Sequence, residues 1–544
     1  MLLPIDKFNA LPVVVAPERQ THWHFDLRYL PLEPRPHHIL LIARVDGSSS
    51  HIARLPLGLP AHRDGMDFFP DTPADAAPTV ARALVHSFTT NAALSAVRPM
   101  RLMTPDTGLA KEVGNELKRI GVKAKELQSI SKSTPAAIVA ADELFEVAWK
   151  RMMREAGFQG LFAQVLGTPE YINMSNLKLR EPEPAMNETP SAMVMTAMQR
   201  RFLEALEYTK IWYEARPPTH RIDYSSMETM KRKANYVCED YLPENPAEDM
   251  KEAADEGIAS AAFDYALRLM IVPKHQRDRQ LIHKYLMMAI RAEHDDSPKE
   301  LLTEIASNAH AILIHWYALA SKDEIRQRYL FAACHHAEQA LRLAKQVSPP
   351  DHYAAPVVLS FIREGIIQRL TPDTKCDPLP ALVMYKECRA AHKLRVAQLK
   401  KEKRKLDAKR VKQPNRYRCA NPDCGIIADK GKMLQQCGGK CDVDKKPSYC
   451  SKDCQRADRK NHKDFCKPGM PCSVIDTETS EGPTVAQGGL FSIPIQGPNG
   501  QVMHISSSTM TPEELREFRD AFGERESTRL FESGIAPIIE RYEF

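Results

Sequence analysis

The sequence has no uninterrupted apolar run of the roughly 18 residues that a membrane-spanning helix needs. Its first residues, Met1 to Asp6, include neither a basic region nor an apolar one, so we expect no secretory signal. These absences predict a cytoplasmic or nuclear protein that has no membrane partner.

Cysteine is scarce outside one short segment. Four of the 12 cysteines lie elsewhere, and their positions show no regular spacing: Cys238, Cys334, Cys376 and Cys388. This usage is typical of a reducing compartment, where clustered cysteines hold metal more often than they form disulfides.

Familiar catalytic motifs are also missing. The sequence contains no phosphate-binding loop, no dinucleotide-binding glycine pattern, no nucleophile elbow and no His-Glu-x-x-His helix. The pairs His37-His38 and His335-His336 lie in different regions without suitable partners, and His335 interrupts an apolar helical pattern, which favours a packed or surface position. We predict no catalytic residue and no organic cofactor. A hidden enzyme site in the N-terminal region is kept as an alternative.

At 544 residues the chain is long enough for several domains. The first of these, residues 1–130, is predicted to be a small α+β domain. Strand-like sequences at 38–45 and 50–55 flank the turn dipeptide Asp46-Gly47, which indicates a hairpin.

The second half of this domain alternates between strand and helix signals. Met100 to Met103 is a strand candidate, and the apolar spacing from Leu109 to Ile120 predicts a helix that ends at Gly121. Residues 122–127 predict another strand, and residues 136–157 predict a helical segment.

The central region, residues 193–412, is helical in pattern almost throughout, and its last helix is predicted to run from Pro380 to about Val411. Tyr285 to Ile290 and Tyr329 to Cys334 echo each other about 44 residues apart, a period that suits stacked helix pairs. The region resembles tetratricopeptide-like helical repeats, and an irregular helical domain is the alternative.

The C-terminal region predicts a hairpin and a helix. Residues 491–496 and 501–505 flank Gly497 to Gly500, which predicts an Asn-Gly turn, and Pro494 predicts an edge strand. Thr511-Pro512-Glu513-Glu514 is a capping box that opens a short helix.

The densest signal is a segment from Cys419 to Cys472 that holds eight cysteines and one histidine. Eight of these nine residues form four close pairs, and thiolate and imidazole are ligands that zinc prefers. Because eight ligands complete two tetrahedral ions, we predict two structural Zn²⁺ ions that supply folding free energy. Free or disulfide-bonded cysteines are the alternative, and Cys472 lies outside the pattern as a bystander. The predicted ligands are Cys419, Cys424, Cys437, Cys441, Cys450, Cys454, His462 and Cys466.

The second half of this segment closely resembles a MYND-type zinc finger, whose pattern is Y-C-S-x-x-C-Q-x-x-D-W-x-x-H-K-x-x-C. The matching residues are Tyr449-Cys450-Ser451-Lys452-Asp453-Cys454-Gln455, Asp458, His462-Lys463 and Cys466. The resemblance covers about residues 419–466. It implies two interleaved sites, although the residues alone leave the pairing open. The implied groups are Cys419, Cys424, Cys450 and Cys454 for one ion, and Cys437, Cys441, His462 and Cys466 for the other.

The segment departs from the family pattern in two places. The spacer between Cys419 and Cys424 is two residues longer than in the common C-x-x-C pair, which makes that knuckle looser. The family's tryptophan is Arg459 here. In some members that tryptophan and a glutamine, matched by Gln455, line a groove for proline-containing peptides. A guanidinium in place of the indole favours acidic contacts.

One group of MYND proteins resembles SET-type lysine methyltransferases, which need an N-H-S-C-type motif and a cysteine-rich tail. The Asn-His of this chain, Asn461-His462, belongs to the finger itself, and one cysteine follows Cys466. We therefore predict that the chain is not such an enzyme.

A basic run precedes the finger. Residues 400–418 contain ten Lys or Arg and two acids, Glu402 and Asp407. The run could be a solvated helix, a nuclear-localisation signal or a nucleic-acid patch. No aromatic residue between Lys400 and Lys412 would stack on bases, so nucleic acid is the least supported of the three.

The predicted fold class is multi-domain and mainly α. It comprises an N-terminal small α+β domain, a helical segment, a linker, an α-helical repeat-like domain, the small two-zinc finger, a second linker, and a short C-terminal hairpin and helix. These occupy residues 1–130, 131–180, 181–192, 193–412, 415–468, 469–489 and 490–544. The predicted function is that of a zinc-binding scaffold or adaptor whose partners are other proteins or peptides. A nuclear transcriptional cofactor is the alternative.

Overall fold

The computed structural model divides the chain into two compact units. The first unit contains residues 1–195, 214–218 and 246–391, and the second contains residues 196–213, 219–245 and 392–544. The predicted linker at 181–192, most of the linker at 469–489 and the predicted turn at 497–500 lie outside the described residues. The structure describes residues 4–13, 21–31, 37–57, 68–91, 94, 97–157, 167–177, 197–218, 227–272, 277–292, 295–318, 328–350, 352–371, 379–412, 414–428, 432–474, 491–496, 502–507 and 510–524.

The described chain is mainly helical, as predicted. Its α-helices are α1 Ile5–Asn9, α2 Pro73–Thr90, α3 Thr107–Arg119, α4 Lys125–Gln128, α5 Pro135–Glu155, α6 Ala197–Glu214, α7 Met227–Tyr236, α8 Leu242–Glu244, α9 Ala247–Asp255, α10 Ala259–Ile271, α11 Arg279–Arg291, α12 Lys299–Ala318, α13 Arg328–Val347, α14 Pro356–Phe361, α15 Gln368–Leu370, α16 Lys386–Lys412, α17 Pro414–Tyr417, α18 Lys452–Ala457, α19 Arg459–His462 and α20 Pro512–Glu524. Shorter π-helical segments are Val237–Tyr241 and Ile362–Ile367, and 3₁₀ segments are Met174–Asn176, Pro380–Met384, Val443–Lys445 and Lys463–Phe465.

Ten short strands complete the described structure. They are β1 His22–Leu30, β2 His37–Arg44, β3 Ser50–Leu55, β4 Arg101–Thr104, β5 Ser131–Lys132, β6 Ile427–Ala428, β7 Gln435–Gln436, β8 Ser448–Tyr449, β9 Phe491–Gln496 and β10 Val502–Ser507. The first five form one sheet in the order β3-β2-β1-β4-β5. The predicted hairpin is confirmed as β2 and β3, which pair antiparallel, and the predicted strand at 100–103 is confirmed as β4.

Strand β1 has no counterpart in the sequence prediction. It pairs antiparallel with β2 and parallel with β4, so it lies at the centre of the sheet, and eight of its nine residues are buried. Alternate positions carry His24, Asp26 and Arg28, which satisfy one another inside the protein. Asp26 accepts bonds from Arg28 at 2.8 and 2.7 Å, and His24 Nε2 lies 2.9 Å from Asp26. Their mutual pairing offsets the desolvation cost of burying these charges.

Helices cover both faces of this sheet. On one face, Trp23 packs edge-on against Phe88 of α2 with ring centroids 5.4 Å apart. On the other face, Arg28 lies over the ring of Phe145 of α5 at 4.4 Å and bonds to Asp142 of the same helix at 2.7 Å. The N-terminal part of the first unit is therefore a layered α+β structure in which α5 packs directly on the sheet.

Capping residues determine where its helices begin and end. The Asp106 carboxylate accepts N–H bonds from the first turn of α3, and Gly121, with a φ of 95°, ends that helix as predicted. The N–H of Val122 then bonds back to the Leu117 carbonyl at 3.0 Å. This turn leads into α4, so the strand predicted at 122–127 is wrong: the helix ending takes up residues that an extended strand would need.

The remaining helices of the first unit pack in sequence order, each of α9 to α13 lying against the next. The echoed segments fall on α11 and α13, with Tyr285 and Tyr329 both buried. The tetratricopeptide-like assignment stays a prediction. Glu338 of α13 is buried and accepts the backbone N–H groups of Glu387 and Cys388, each at 3.0 Å, which satisfies the open first turn of α16.

Buried imidazoles also lie inside the first unit. The Nδ1 atoms of His310 and His336 are 2.7 Å apart, and the ring of Tyr317 stacks on His336 at 5.4 Å. His38 of β2 accepts a bond from Arg328 at 3.1 Å. Burial lowers the pKa values of His38 and His336 well below the ordinary histidine range, so both rings are neutral.

The second unit contains the cysteine-rich segment. Strands β7 and β8 form one small sheet, and β10-β9-β6 form another. The predicted C-terminal hairpin and the Thr511–Glu514 capping box are confirmed. The edge position predicted from Pro494 is wrong, because β9 is the central strand. Proline is tolerated there since β6 pairs with Phe491 and Ser492 and ends before Pro494.

Candidate metal centre

The first knuckle carries Cys419 and Cys424. The N–H of Cys424 bonds to the Asn421 carbonyl at 3.1 Å, and the N–H of Cys419 bonds to the Ile426 carbonyl at 2.8 Å. Gly425, with a φ of 73°, completes the turn. The longer spacing of this pair is thus accommodated by a closed turn with both thiols buried.

The second pair of this group, Cys450 and Cys454, lies at the start of α18. The hydroxyl of Ser451 caps the helix by accepting the N–H of Cys454 at 3.2 Å. The Cys450 sulfur lies 3.4 Å from that of Cys424 and 3.5 Å from that of Cys454. We call Cys419, Cys424, Cys450 and Cys454 the four-cysteine cluster, because their ligand atoms all lie within 4.8 Å of one another.

The remaining four residues form a second group, the cysteine–histidine cluster of Cys437, Cys441, His462 and Cys466. The Cys441 sulfur lies 3.9 Å from that of Cys437, 3.5 Å from that of Cys466 and 3.4 Å from Nε2 of His462. The other ring nitrogen of His462 lies 2.9 Å from the hydroxyl of Ser473. Such a bond orients the ring with Nε2 towards the sulfurs.

All eight predicted residues therefore meet in two groups of four, with the membership that the family resemblance implied. The pairs cross in sequence: the first and third pairs meet in one cluster, and the second and fourth in the other. This crossing folds the segment into one body, because neither site is complete without residues from both of its halves.

The spacing of the donors suits a tetrahedral ion. Zn–S bonds of about 2.3 Å at tetrahedral angles separate two ligand sulfurs by about 3.8 Å. Five of the sulfur–sulfur distances in the two clusters are 3.4 to 3.9 Å, and all ligand atoms of each cluster lie within 4.8 Å of one another. A disulfide needs about 2.05 Å, and none of the eleven cysteines in the described residues forms one. The donor set and its spacing fit metal rather than disulfide bonding.

The electrostatics of the clusters favour protonated thiols unless a cation binds. The bond to the Cys419 sulfur raises the pKa of Cys424 to about 12, and burial together with the sulfurs of Cys466 and Cys437 raises the pKa of Cys441 to about 12. Thiols this close cannot all ionise by themselves, since thiolates repel one another. A divalent ion would offset that repulsion. Burial lowers the pKa of His462, which keeps its imidazole neutral, the form that ligates metal.

Residues beyond the eight ligands support the clusters. The Tyr449 hydroxyl donates to the Asp458 carboxylate at 2.9 Å, and the Asp458 carbonyl accepts the N–H of His462 at 2.9 Å. Burial raises the pKa of Tyr449 far above its ordinary value, so the tyrosine keeps its proton. Both residues belong to the family pattern, and that pattern was the one sequence signal that could have assigned them this role.

Other supporting residues carry no such signal. The guanidinium of Arg516 donates to the Cys454 sulfur at 3.2 Å across a separation of 62 residues. The N–H of Gly439 donates to the Cys437 sulfur at 3.3 Å. Cys472 is half-buried and belongs to neither cluster, in agreement with its assignment as a bystander.

The histidines considered earlier lie away from the metal centre. His335 and His336 are fully buried on α13, and His38 is fully buried in the sheet. The structure brings none of them into either cluster.

Comparison with known proteins found no matching family model, no matching curated protein and no matching solved structure. Among the described residues, no helix is long and apolar enough to cross a membrane.

Proposed function

We propose that the chain is a zinc-binding scaffold or adaptor in which a MYND-type finger serves as a structural docking module. The observation that carries this proposal is the pair of complete four-donor clusters, which leave no protein ligand position open for a substrate. Closed sites of this kind are structural, whereas catalytic zinc keeps an open position. The role of the ions is to fold the segment and fix its surface.

A MYND-type assignment is supported by residues that do not ligate. The Tyr and Asp of the family pattern, Tyr449 and Asp458, bond to each other in this chain. Gln455 is half-buried and Arg459 is exposed, so a guanidinium stands at the surface where the family has an indole. The proposed partners are accordingly acidic peptides or acidic protein surfaces.

The side of the finger that carries the cysteine–histidine cluster also exposes apolar side chains. Val443 is 78% exposed and Met470 is 36% exposed. Asp442 joins their two segments, because its carboxylate accepts the N–H of Gly469 at 3.1 Å. We include these two side chains in the proposed docking surface because both lie in segments that also carry ligands of the cysteine–histidine cluster.

The proposal that the chain is not an enzyme is supported by its N-terminal polar network. Ser133, His24 and Asp26 lie in line at 2.9 Å each, but Ser133 meets Nδ1 of the ring and Asp26 meets Nε2, the reverse of the Ser-His-Asp triad of hydrolases. All three are buried, and Asp26 is bonded twice by Arg28. A nucleophile must reach its substrate, so this network is better explained as the way the sheet accommodates buried charge.

The test is selection of peptides from a display library on the zinc-loaded full-length chain. Binding of the selected peptides should be lost in Val443→Asp or Arg459→Ala, because either change alters the proposed docking surface. Val147→Asp is the matched control, since Val147 is 72% exposed on α5 of the other unit. Peptides that bind all variants equally would contradict the proposal that the finger is the docking module.

A second candidate, a nuclear cofactor role, is favoured by the surface of α16. Lys400, Lys401, Arg404 and Lys405 belong to this helix, and their spacing places them along one side of it. Replacing these four with glutamine should abolish nuclear accumulation if the run is a localisation signal. Unchanged accumulation would leave the run as a solvated helix surface.

A further inference from the structure

We propose that β9, β10 and α20 form a clamp that retains the metal ion of the four-cysteine cluster, with Arg516 as the cation that offsets the charge of the cluster. This inference rests on the proposed metal sites and adds a residue and a segment that the finger pattern does not contain. The clamp lies beyond the last ligand, Cys466, and closes over the first knuckle from the C-terminal side.

The first contact is a shared sheet. Strand β6 begins three residues after Cys424, and it pairs antiparallel with β9 through Ile427↔Ser492 and Ala428↔Phe491. Strand β9 in turn pairs with β10 along its whole length. A two-residue strand has little stability alone, so the hairpin fixes the segment that leaves the knuckle.

The second contact is a common apolar core. Ile493 of β9 and Leu515 of α20 are fully buried in the same cluster as Ile426, Cys424 and Cys454. Removing the clamp would expose this apolar surface beside the ligands. The hairpin and helix therefore belong to the folded body of the finger rather than forming a separate appendage.

The third contact is a close backbone approach at the knuckle. A side chain at Gly425 would lie 3.3 Å from Cδ of Pro494, so the glycine lets β9 approach the turn. The Arg519 guanidinium donates to the Cys424 carbonyl at 3.1 Å and to the Asp423 carbonyl at 3.4 Å. These bonds hold the backbone of one ligand in place from a helix that the finger pattern does not contain.

The fourth contact reaches a ligand atom itself. Nη1 of Arg516 lies 3.2 Å from the Cys454 sulfur, and the same side chain is anchored by Glu513 at 3.1 Å and by the Pro512 carbonyl at 3.3 Å. Arg516 is 24% exposed, so water screens this bond only in part. Four thiolates around a divalent ion carry a net charge of −2, and a guanidinium donating to one of them stabilises that charge.

The cysteine–histidine cluster provides an internal reference, because three thiolates, a neutral imidazole and a divalent ion carry a net charge of −1. Loss of an outer partner of a metal ligand commonly weakens metal binding by about 10- to 100-fold. Since Arg516 is partly exposed, we expect an effect near the lower limit. Arg516→Gln should release one of the two zinc ions about 10-fold faster and leave the other unchanged.

The experiment measures zinc release from the full-length chain to a coloured chelator for the wild type, Arg516→Gln, Arg516→Lys and Arg456→Gln. Arg456→Gln is the matched control. It removes one positive charge from the same finger, but Arg456 is 79% exposed and pairs with Asp453. Arg516→Lys keeps the charge and should fall between the wild type and Arg516→Gln. Cobalt substitution then identifies the weakened site, because the sulfur-to-metal absorption scales with the number of thiolates.

Faster release of one ion from the four-thiolate site in Arg516→Gln, with Arg456→Gln behaving as wild type, would support the clamp. Equal release from the wild type and Arg516→Gln would overturn it while leaving the metal sites intact. Equal acceleration at both sites would also overturn it, because the variant would then act by loosening the whole finger. A wild-type chain without zinc would reject the proposed metal sites, and the clamp with them.

Discussion

Adding a single methyl group at Gly439 should disable one metal site and spare the other. Neither Gly438 nor Gly439 has a backbone conformation that disfavours alanine, but their surroundings differ. A Cβ on Gly439 would overlap the sulfur of Cys466 and lie 3.3 Å from that of Cys437, whereas a Cβ on Gly438 meets nothing within 4 Å. Gly439→Ala therefore places a carbon where the ligands of the cysteine–histidine cluster converge.

The magnitude follows from the geometry. Non-bonded heavy atoms need about 3.5 Å, so the Cys466 sulfur or the turn must move by more than about 1 Å. Metal–ligand bonds tolerate about 0.2 Å. The site must then lose a ligand or open its turn, and we expect its affinity for zinc to fall by at least about 100-fold, or about 2.8 kcal/mol.

Competition between the full-length chain and a calibrated chelator measures this affinity at each site, with Gly438→Ala as the matched control. Gly439→Ala should show one site of wild-type affinity and one that is weakened, while Gly438→Ala retains two strong sites. Cobalt spectra should assign the weakened site to the three-thiolate cluster. Two sites of equal affinity in both glycine variants would refute the close packing deduced around the Cys466 sulfur.

Three further outcomes are expected. Because burial holds the pKa values of His38 and His336 well below about 6.5, the unfolded chain binds more protons under that pH. The free energy of unfolding of the first unit should therefore fall by up to about 1.4 kcal/mol per histidine for each pH unit below about 6.5. Hydrogen exchange measures it, and a free energy of unfolding that does not change below about pH 6.5 would contradict this. Glu338→Ala should destabilise the first unit by about 1–3 kcal/mol in urea unfolding, because two N–H groups of α16 lose their acceptor; unchanged stability would show that they are satisfied otherwise. Thr511→Ala should lower the stability of α20 by about 1 kcal/mol and speed zinc release, since the N-cap of that helix is lost. Zinc release at the wild-type rate would show that the cap does not support the clamp.

The metal centre was the part of this chain most open to sequence reasoning. Ligand chemistry restricts zinc to a few residue types, and close pairs of Cys and His are rare by chance, so the eight residues could be selected from their spacing alone. The way the four pairs combine into two sites could not be predicted from spacing. Any two pairs could share an ion, and the crossed arrangement was implied only by the family pattern; the structure has the same two groups.

Strand β1 shows why part of the fold escaped prediction. Strands are read from apolar alternation, but its alternate positions hold His24, Asp26 and Arg28, which look solvent-facing. They are buried because Ser133 and Asp142, more than 100 residues away, supply partners. Pairing over such distances leaves no local signal.

The clamp was missed for a related reason. The hairpin and the capping box of α20 were both predicted, since each depends on residues close in sequence. Their attachment to the finger depends on Arg516 and on the two-residue strand β6, whose contacts lie more than 60 residues apart. A strand of two residues is also too short to show any periodicity.

The most direct test of the two-site metal centre is the zinc content of the full-length protein purified without added metal, measured beside its Cys454→Ser and Cys466→Ser variants. We predict two zinc ions per wild-type chain and the loss of one ion in each variant, from the four-cysteine cluster in the first and from the cysteine–histidine cluster in the second. One ion or none in the wild type, or a variant that keeps both ions, would contradict the metal centre on which the proposed function rests.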